Sequence, residues 1–172
     1  VEDSIIMLTE SGYIKRQPVD TYHTQNRGGR GIKSLTLNEE DSIDTLISMS
    51  THDWLLLFTN KGRVYRMKGF NIPIASRTAK GLPIINLLTL EKDEKVKVLL
   101  PIPKEHDHIK TLLFVTRNGI AKRTALNEFD NINRNGKIAI SLKEEDELAF
   151  VKATTGDDEV MKLRNWFRRT SS

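Results

Sequence analysis

One pattern recurs three times along the chain and leaves few folds open to it. An apolar run, a Thr, two polar residues, a Gly and a short basic segment appear as IIMLTESGYIKR from Ile5, LLLFTNKGRVYR from Leu55 and LLFVTRNGIAKR from Leu112. Apolar runs of this length suit a strand buried on both faces, T-x-x-G supplies a turn with Gly where positive φ is needed, and the basic segment is the return strand. Each copy therefore predicts a β-hairpin. Thr9, Thr59 and Thr116 mark the copies, 50 and then 57 residues apart, and the longer interval falls in PIPKEHDHIK, a loop insertion of the kind repeat arrays permit.

Two further signatures share the period. GGRGIKSLTL, AKGLPIINLL and RNGKIAISLK each begin an alternating apolar strand at Gly31, Gly81 and Gly136, and EEDSIDTLI, EKDEKVKVLL and EEDELAFVKA place an acidic turn, anchored on Asp41, Asp93 and Asp146, before another strand. About four short strands per unit of about fifty residues is the arithmetic of a propeller-like blade, whose sheets bury their faces against neighbours. No window carries helical periodicity over three turns; LNEFDNINRN from Leu126 is at best a helical turn. The expected fold is all-β, with about three four-stranded blades over residues 1–161 forming an open arc, divided roughly as 1–50, 51–107 and 108–161. A fourth unit begins at TTGDDEVM and then fails, and KLRNWFRRTSS (162–172) reads as a basic tail foreign to the repeat.

Charge narrows the function less than it first suggests. The net charge is +4, but Lys162, Arg164, Arg168 and Arg169 account for all of it, leaving residues 1–161 neutral. What remains informative is position. Arg16, Arg66 and Arg123 hold one register in the three hairpins, with Lys15, Tyr65 and Lys122 one place earlier. Arg27 and Arg77 match across two loops, followed by Arg30 and Lys80 just before a strand glycine. Such a periodic row is what a curved duplex needs, because phosphates recur along the helix and each neutralised one releases counterions. Edge-strand protection and ordinary solvation account for the same pattern, so both readings stay open at this point.

No cysteine occurs, which excludes disulfides and thiolate metal sites, and no run of eighteen apolar residues or charged-then-apolar leader is present, so a cytoplasmic protein is expected. His106 and His108 form a His-x-His without a third ligand at useful spacing, and no metal is expected there. Nothing pairs a nucleophile with a base, so no catalytic residue is assigned.

The stretch QNRGGRG, Gln25 to Gly31, has neither the Lys-[Ser/Thr] ending of a Walker A loop nor the spacing of G-x-G-x-x-G. Gly28 and Gly29 would let backbone N–H groups approach a phosphate, with Arg27 and Arg30 beside them as charged forks, and a plain tight turn would look similar. Together with YIKRQPVDTY before it and STHDWLLLFTNKGRVYRMKGFNIPIASRTAKGLPIINLL, LLFVTRNGIAKRTALNEF and NRNGKIAISLKEEDEL after it, the heptad resembles the C-terminal domain of the bacterial DNA gyrase A subunit, over about residues 3 to 161. It is similar to that family's signature, the gyrase A box, with Asn26 where an Arg is usual.

The resemblance implies a β-pinwheel, usually of six blades with a strand exchanged between neighbours, whose basic rim wraps double-stranded DNA. Gln25, Asn26, Arg27, Gly28, Gly29, Arg30 and Gly31 would form the box, and Lys15, Arg16, Arg66, Arg77, Lys80, Lys122 and Arg123 would line the path. It further implies the gyrase B protein and a second copy of gyrase A as partners, with ATP and Mg used elsewhere in the holoenzyme and no cofactor in this chain. The family's nucleophilic tyrosine lies in an upstream domain, so Tyr13, Tyr22 and Tyr65 inherit no catalytic role. The topoisomerase IV C-terminal domain, which generally lacks an intact box, and a propeller serving as a protein-interaction scaffold are the alternative readings.

Overall fold

A computed structural model describes residues 2–20, 42–105 and 109–154; the heptad, His106, His108 and the basic tail lie outside these described residues. The strands, in chain order, are β1 (Asp3–Thr9), β2 (Tyr13–Pro18), β3 (Ile43–Ser50), β4 (Trp54–Thr59), β5 (Arg63–Lys68), β6 (Leu82–Pro83), β7 (Val96–Ile102), β8 (Thr111–Thr116), β9 (Ala121–Ala125), β10 (Lys137–Ile138) and β11 (Leu148–Thr154). The fold is all-β, interrupted by single 3-10 turns at Gly69–Asn71, Ile84–Asn86 and Leu126–Phe129. The last is the helical turn expected from LNEF.

The three hairpins form in one register. Lys15 faces Met7, Tyr65 faces Leu57 and Lys122 faces Phe114 across the two strands. One side-chain oxygen closes each turn: Thr9, Thr59 and Thr116 Oγ1 accept the N–H of Tyr13, Arg63 and Ile120 at 3.0, 3.2 and 3.1 Å. The acidic turn then seats a carboxylate against this Thr. In the second unit it is Glu94 that turns inward, its Oε2 accepting from Thr59 at 2.7 Å, and in the third it is Asp146, bonded to the N–H groups of Asn118 and Glu147. Asp93, the expected anchor, instead occupies the positive-φ turn position, as Glu145 does in the third unit. The register counts back from the strand: Val96 pairs Thr59 as Leu148 pairs Thr116, which aligns Glu94 with Asp146.

The first and second sheets each borrow a strand from the next unit. The sheet orders are β3-β1-β2-β6, β10-β5-β4-β7 and β11-β8-β9, so β6 of the second unit completes the first blade and β10 of the third completes the second. Among the described residues the third blade has three strands. The strands expected after Gly81 and Gly136 are thus only two residues long and belong to the preceding blade. Pro83 has no N–H to extend a ladder, and Leu82–Pro83 runs directly into a 3-10 turn.

Stacking the blades explains the continuous apolar runs. Along β4, Leu55 and Leu57 point into the core shared with Ile6, Leu8 and Ile14 of the first blade, whereas Leu56 and Phe58 point into the core shared with Leu112 and Phe114 of the third. All four are buried because alternate side chains serve two different interfaces. Phe58, Phe114 and Phe129 meet edge-on or tilted with centroids 5.4 to 6.2 Å apart, within the favourable range for aromatic pairs.

Candidate nucleic-acid interface

The residues expected to line a DNA path divide into two groups. Lys15 and Arg16, placed by register on the rim, are interior, with 1% and 8% of their surfaces exposed. The reason is the exchanged segment of the second unit, which lies along β2. Lys15 Nζ donates to the carbonyls of Ser76, Arg77 and Ala79 at 2.9, 3.0 and 3.2 Å. Arg16 Nε donates to the Ile72 carbonyl at 2.9 Å, and its Nη1 pairs with Glu2 at 3.4 Å. Backbone bonds run beside them, from Arg16 N–H to Pro73 and from Ala75 N–H to Arg16. Burial pulls the Lys15 ammonium down to a pKa of about 8, while the three carbonyl dipoles favour its charged form.

Arg66, Arg77, Lys80, Lys122 and Arg123 lie nearer the surface. Arg77, Lys80, Lys122 and Arg123 are exposed, and Arg66 is half-buried. Lys80 Nζ sits 4.5 Å from the centroid of the Tyr13 ring. The Arg66 guanidinium is 3.4 Å from the centroid of Trp54, and Lys68 approaches the same ring at 4.3 Å. Trp54 thereby gathers two cations at one end of the second blade, where a delocalised guanidinium keeps its charge while shedding water on one face. Lys68 is a member of this group that the repeat register does not mark. Its signal is the alternation of β5, which puts it two residues beyond Arg66 on the same face.

The structure brings Lys15 together with Arg77 and Lys80, because the carbonyls that Lys15 grips belong to the loop carrying them. Asp130 lies close enough to Arg66 to favour its charged form, while a larger group of acids gathers at a different place. Arg63 pairs with Glu91 and Glu94, each at 3.5 Å, and also donates to the carbonyl of Asn135, so these acids are absorbed in the joint between the second and third units. Tyr65, in the register of Lys15, donates to the Thr89 carbonyl at 2.7 Å and packs under Gly136.

Strand-exchanged blades, stacked through both faces, with cations set outward near the exchange loops, define a propeller-like repeat domain suited to an extended polyanion. Comparison with known proteins agrees. The family described as DNA gyrase C-terminal domain, beta-propeller, matches residues 3–49, 53–103 and 110–155, and the chain belongs to it. The DNA gyrase A protein of Staphylococcus epidermidis is 48% identical over 160 residues, which are 93% of this chain and 18% of that protein. Its counterpart from Staphylococcus aureus is 46% identical with the same coverage. The chain thus spans less than a fifth of these relatives. Among solved structures, the C-terminal domain of DNA topoisomerase IV superposes with a TM-score of 0.73 at 30% identity, covering 90% of this chain and 46% of that one. A DNA gyrase A C-terminal domain gives 0.65 at 23% identity, covering 91% and 49%, which speaks to the fold alone.

Proposed function

We propose that this chain binds double-stranded DNA along its rim without reading sequence, and bends it, as the wrapping module of a DNA gyrase A protein. Residues 1–161 form the binding domain, and residues 162–172 take no part. Phosphates run past Arg66, Arg77, Lys80, Lys122 and Arg123, and the loop Gln25 to Gly31 fixes the path where the first unit meets it. Lys15 and Arg16 hold the interior. Strand cleavage and ATP hydrolysis belong to other parts of a cytoplasmic holoenzyme containing the gyrase B protein and a second copy of gyrase A, in which the wrap supports negative supercoiling.

The observation that carries this reading is the outward placement of cations at the edges of successive blades in a chain of this family. The superposition on a topoisomerase IV domain favours a second reading with the same fold and weaker wrapping. The heptad QNRGGRG favours the gyrase reading, since an intact box is generally lacking in the other family.

The test is a gel shift of residues 1–161 and of the full chain on duplexes of about 20 and about 150 base pairs over a salt series. With the rim and box cations engaged, the slope of log K against log salt is expected at about −6 on the long duplex. Binding that needs the tail, or a slope near zero, refutes the proposal. Equal affinity for both duplexes would favour a compact acidic partner over a wrapped polymer.

A further inference from the structure

We propose that Lys15 is a positioning residue for DNA: its ammonium, gripping the carbonyls of Ser76, Arg77 and Ala79 from beneath, fixes the loop of the next unit that holds Arg77 and Lys80 outward. The proposal rests on the DNA-path reading above. Arg16 secures the entry of the same segment through the Ile72 carbonyl, so two cations that look like phosphate contacts in the sequence serve the neighbouring blade's contacts instead.

The geometry is specific to this joint. Three carbonyl oxygens converge on one buried ammonium, an arrangement that uses all three of its N–H donors. At the next joint the equivalent Tyr65 packs against Gly136 but its hydroxyl reaches a single carbonyl, that of Thr89 in its own unit. In the third blade the equivalent Lys122 is exposed. Beyond Ala75, the loop over Lys15 is tied by a backbone bond from Ala79 N–H to Ser76, which is internal to the loop itself. Its shape therefore depends on what lies under it. An ordered loop presents Arg77 and Lys80 without the ordering cost that a loose one meets on binding. Lys80 is further steadied over Tyr13, two residues before Lys15 on the same strand.

The experiment compares the full chain with Lys15→Met, which keeps the stem and deletes the ammonium. Hydrogen exchange over residues 73–80, without DNA, reads the loop directly, and the amides of β1 and β2 report any wider unfolding. Exchange in the loop is expected to quicken about tenfold or more, with β1 and β2 unaffected. On a duplex of about 150 base pairs, the salt slope is expected to shrink by about 1.8, as it should for Arg77→Ala with Lys80→Ala, and the triple variant should show no further loss. Unchanged loop exchange overturns the proposal. Quickened exchange with an unchanged slope overturns the link to DNA. If Arg77→Ala with Lys80→Ala leaves the slope unchanged while the long duplex still binds, the loop is not on the path and positioning for DNA falls, though the DNA reading itself stands. Should Lys15→Met not remain folded, Lys15→Gln replaces it with the same readings.

Discussion

Gly62→Ala tests whether the exchanged strand is what joins the second and third blades. Gly62 has φ +84°, and an added Cβ would lie 2.3 Å from the Ile140 carbonyl oxygen and 3.2 Å from its Cγ2. The first contact is with backbone, so no side-chain rotation relieves it, and the segment after β10 has to move. That segment is held by Ala139 and Ile140, whose N–H groups donate to the Gly62 carbonyl at 2.8 and 3.1 Å. Losing both bonds costs about 1 kcal/mol each, and the left-handed backbone adds about 1 kcal/mol for any Cβ. Gly12→Ala is the control: φ is +92°, but the nearest atom to its Cβ would be Ile84 Cγ2 at an ordinary 3.9 Å, leaving only the conformational cost. Urea unfolding should therefore show Gly62→Ala destabilised by about 3 kcal/mol and Gly12→Ala by about 1 kcal/mol, with hydrogen exchange at Ala139 and Ile140 accelerated only in the former. Equal losses in the two variants, or retained protection at Ala139 and Ile140, would refute the reasoning.

Thr59→Val removes the hydroxyl that donates to Glu94 and accepts from Arg63; with the Glu94 side chain fully buried, a loss of about 2 kcal/mol is expected in urea unfolding. Lys15 gives a pH signature with a defined sign. Its folded pKa of about 8 lies below the unfolded 10.5, so between these values the unfolded chain binds more protons and wild-type stability should rise with pH relative to Lys15→Met, by up to about 3 kcal/mol; a flat difference across that window would count against the burial argument. Arg66→Ala should weaken DNA binding evenly across sequences and lower the salt slope by about 0.9, as measured by fluorescence anisotropy on unrelated duplexes. An effect confined to one sequence would assign Arg66 a base contact instead.

The hairpins are legible in the sequence because their determinants are local: Thr, Gly and the return strand lie within one short segment, and the structure keeps that register in all three copies. Of the acidic turns, that at Asp41 lies outside the described residues, and the other two are legible except for one residue, because EKDEK offers two adjacent acids and only the pairing of Val96 with Thr59 decides which one faces the hydroxyl. Rim positions are harder. Alternation states which side chains share a face, but not what the following unit lays across it. Lys15 and Arg16 are covered by a segment of the next unit, with Lys15 and Arg77 62 positions apart, and no spacing within the hairpin records that. One clue is present: Tyr65 stands where Lys15 stands, and a Tyr in a row of cations marks a position that can be interior. The exchange accounts for all three members of the row. Lys15 lies against Gly81, whose added Cβ would come within 3.1 Å of the Lys15 Cβ, and Tyr65 lies against Gly136, whose added Cβ would come within 2.9 Å of its ring. Lys122 belongs to β9, beside which no exchanged strand lies among the described residues, and it is exposed. In this family of repeats, whether a basic residue at that register meets solvent or anchors the neighbour depends on the strand laid over it, so the burial of Lys122 is a direct reporter of whether another strand has docked on β9.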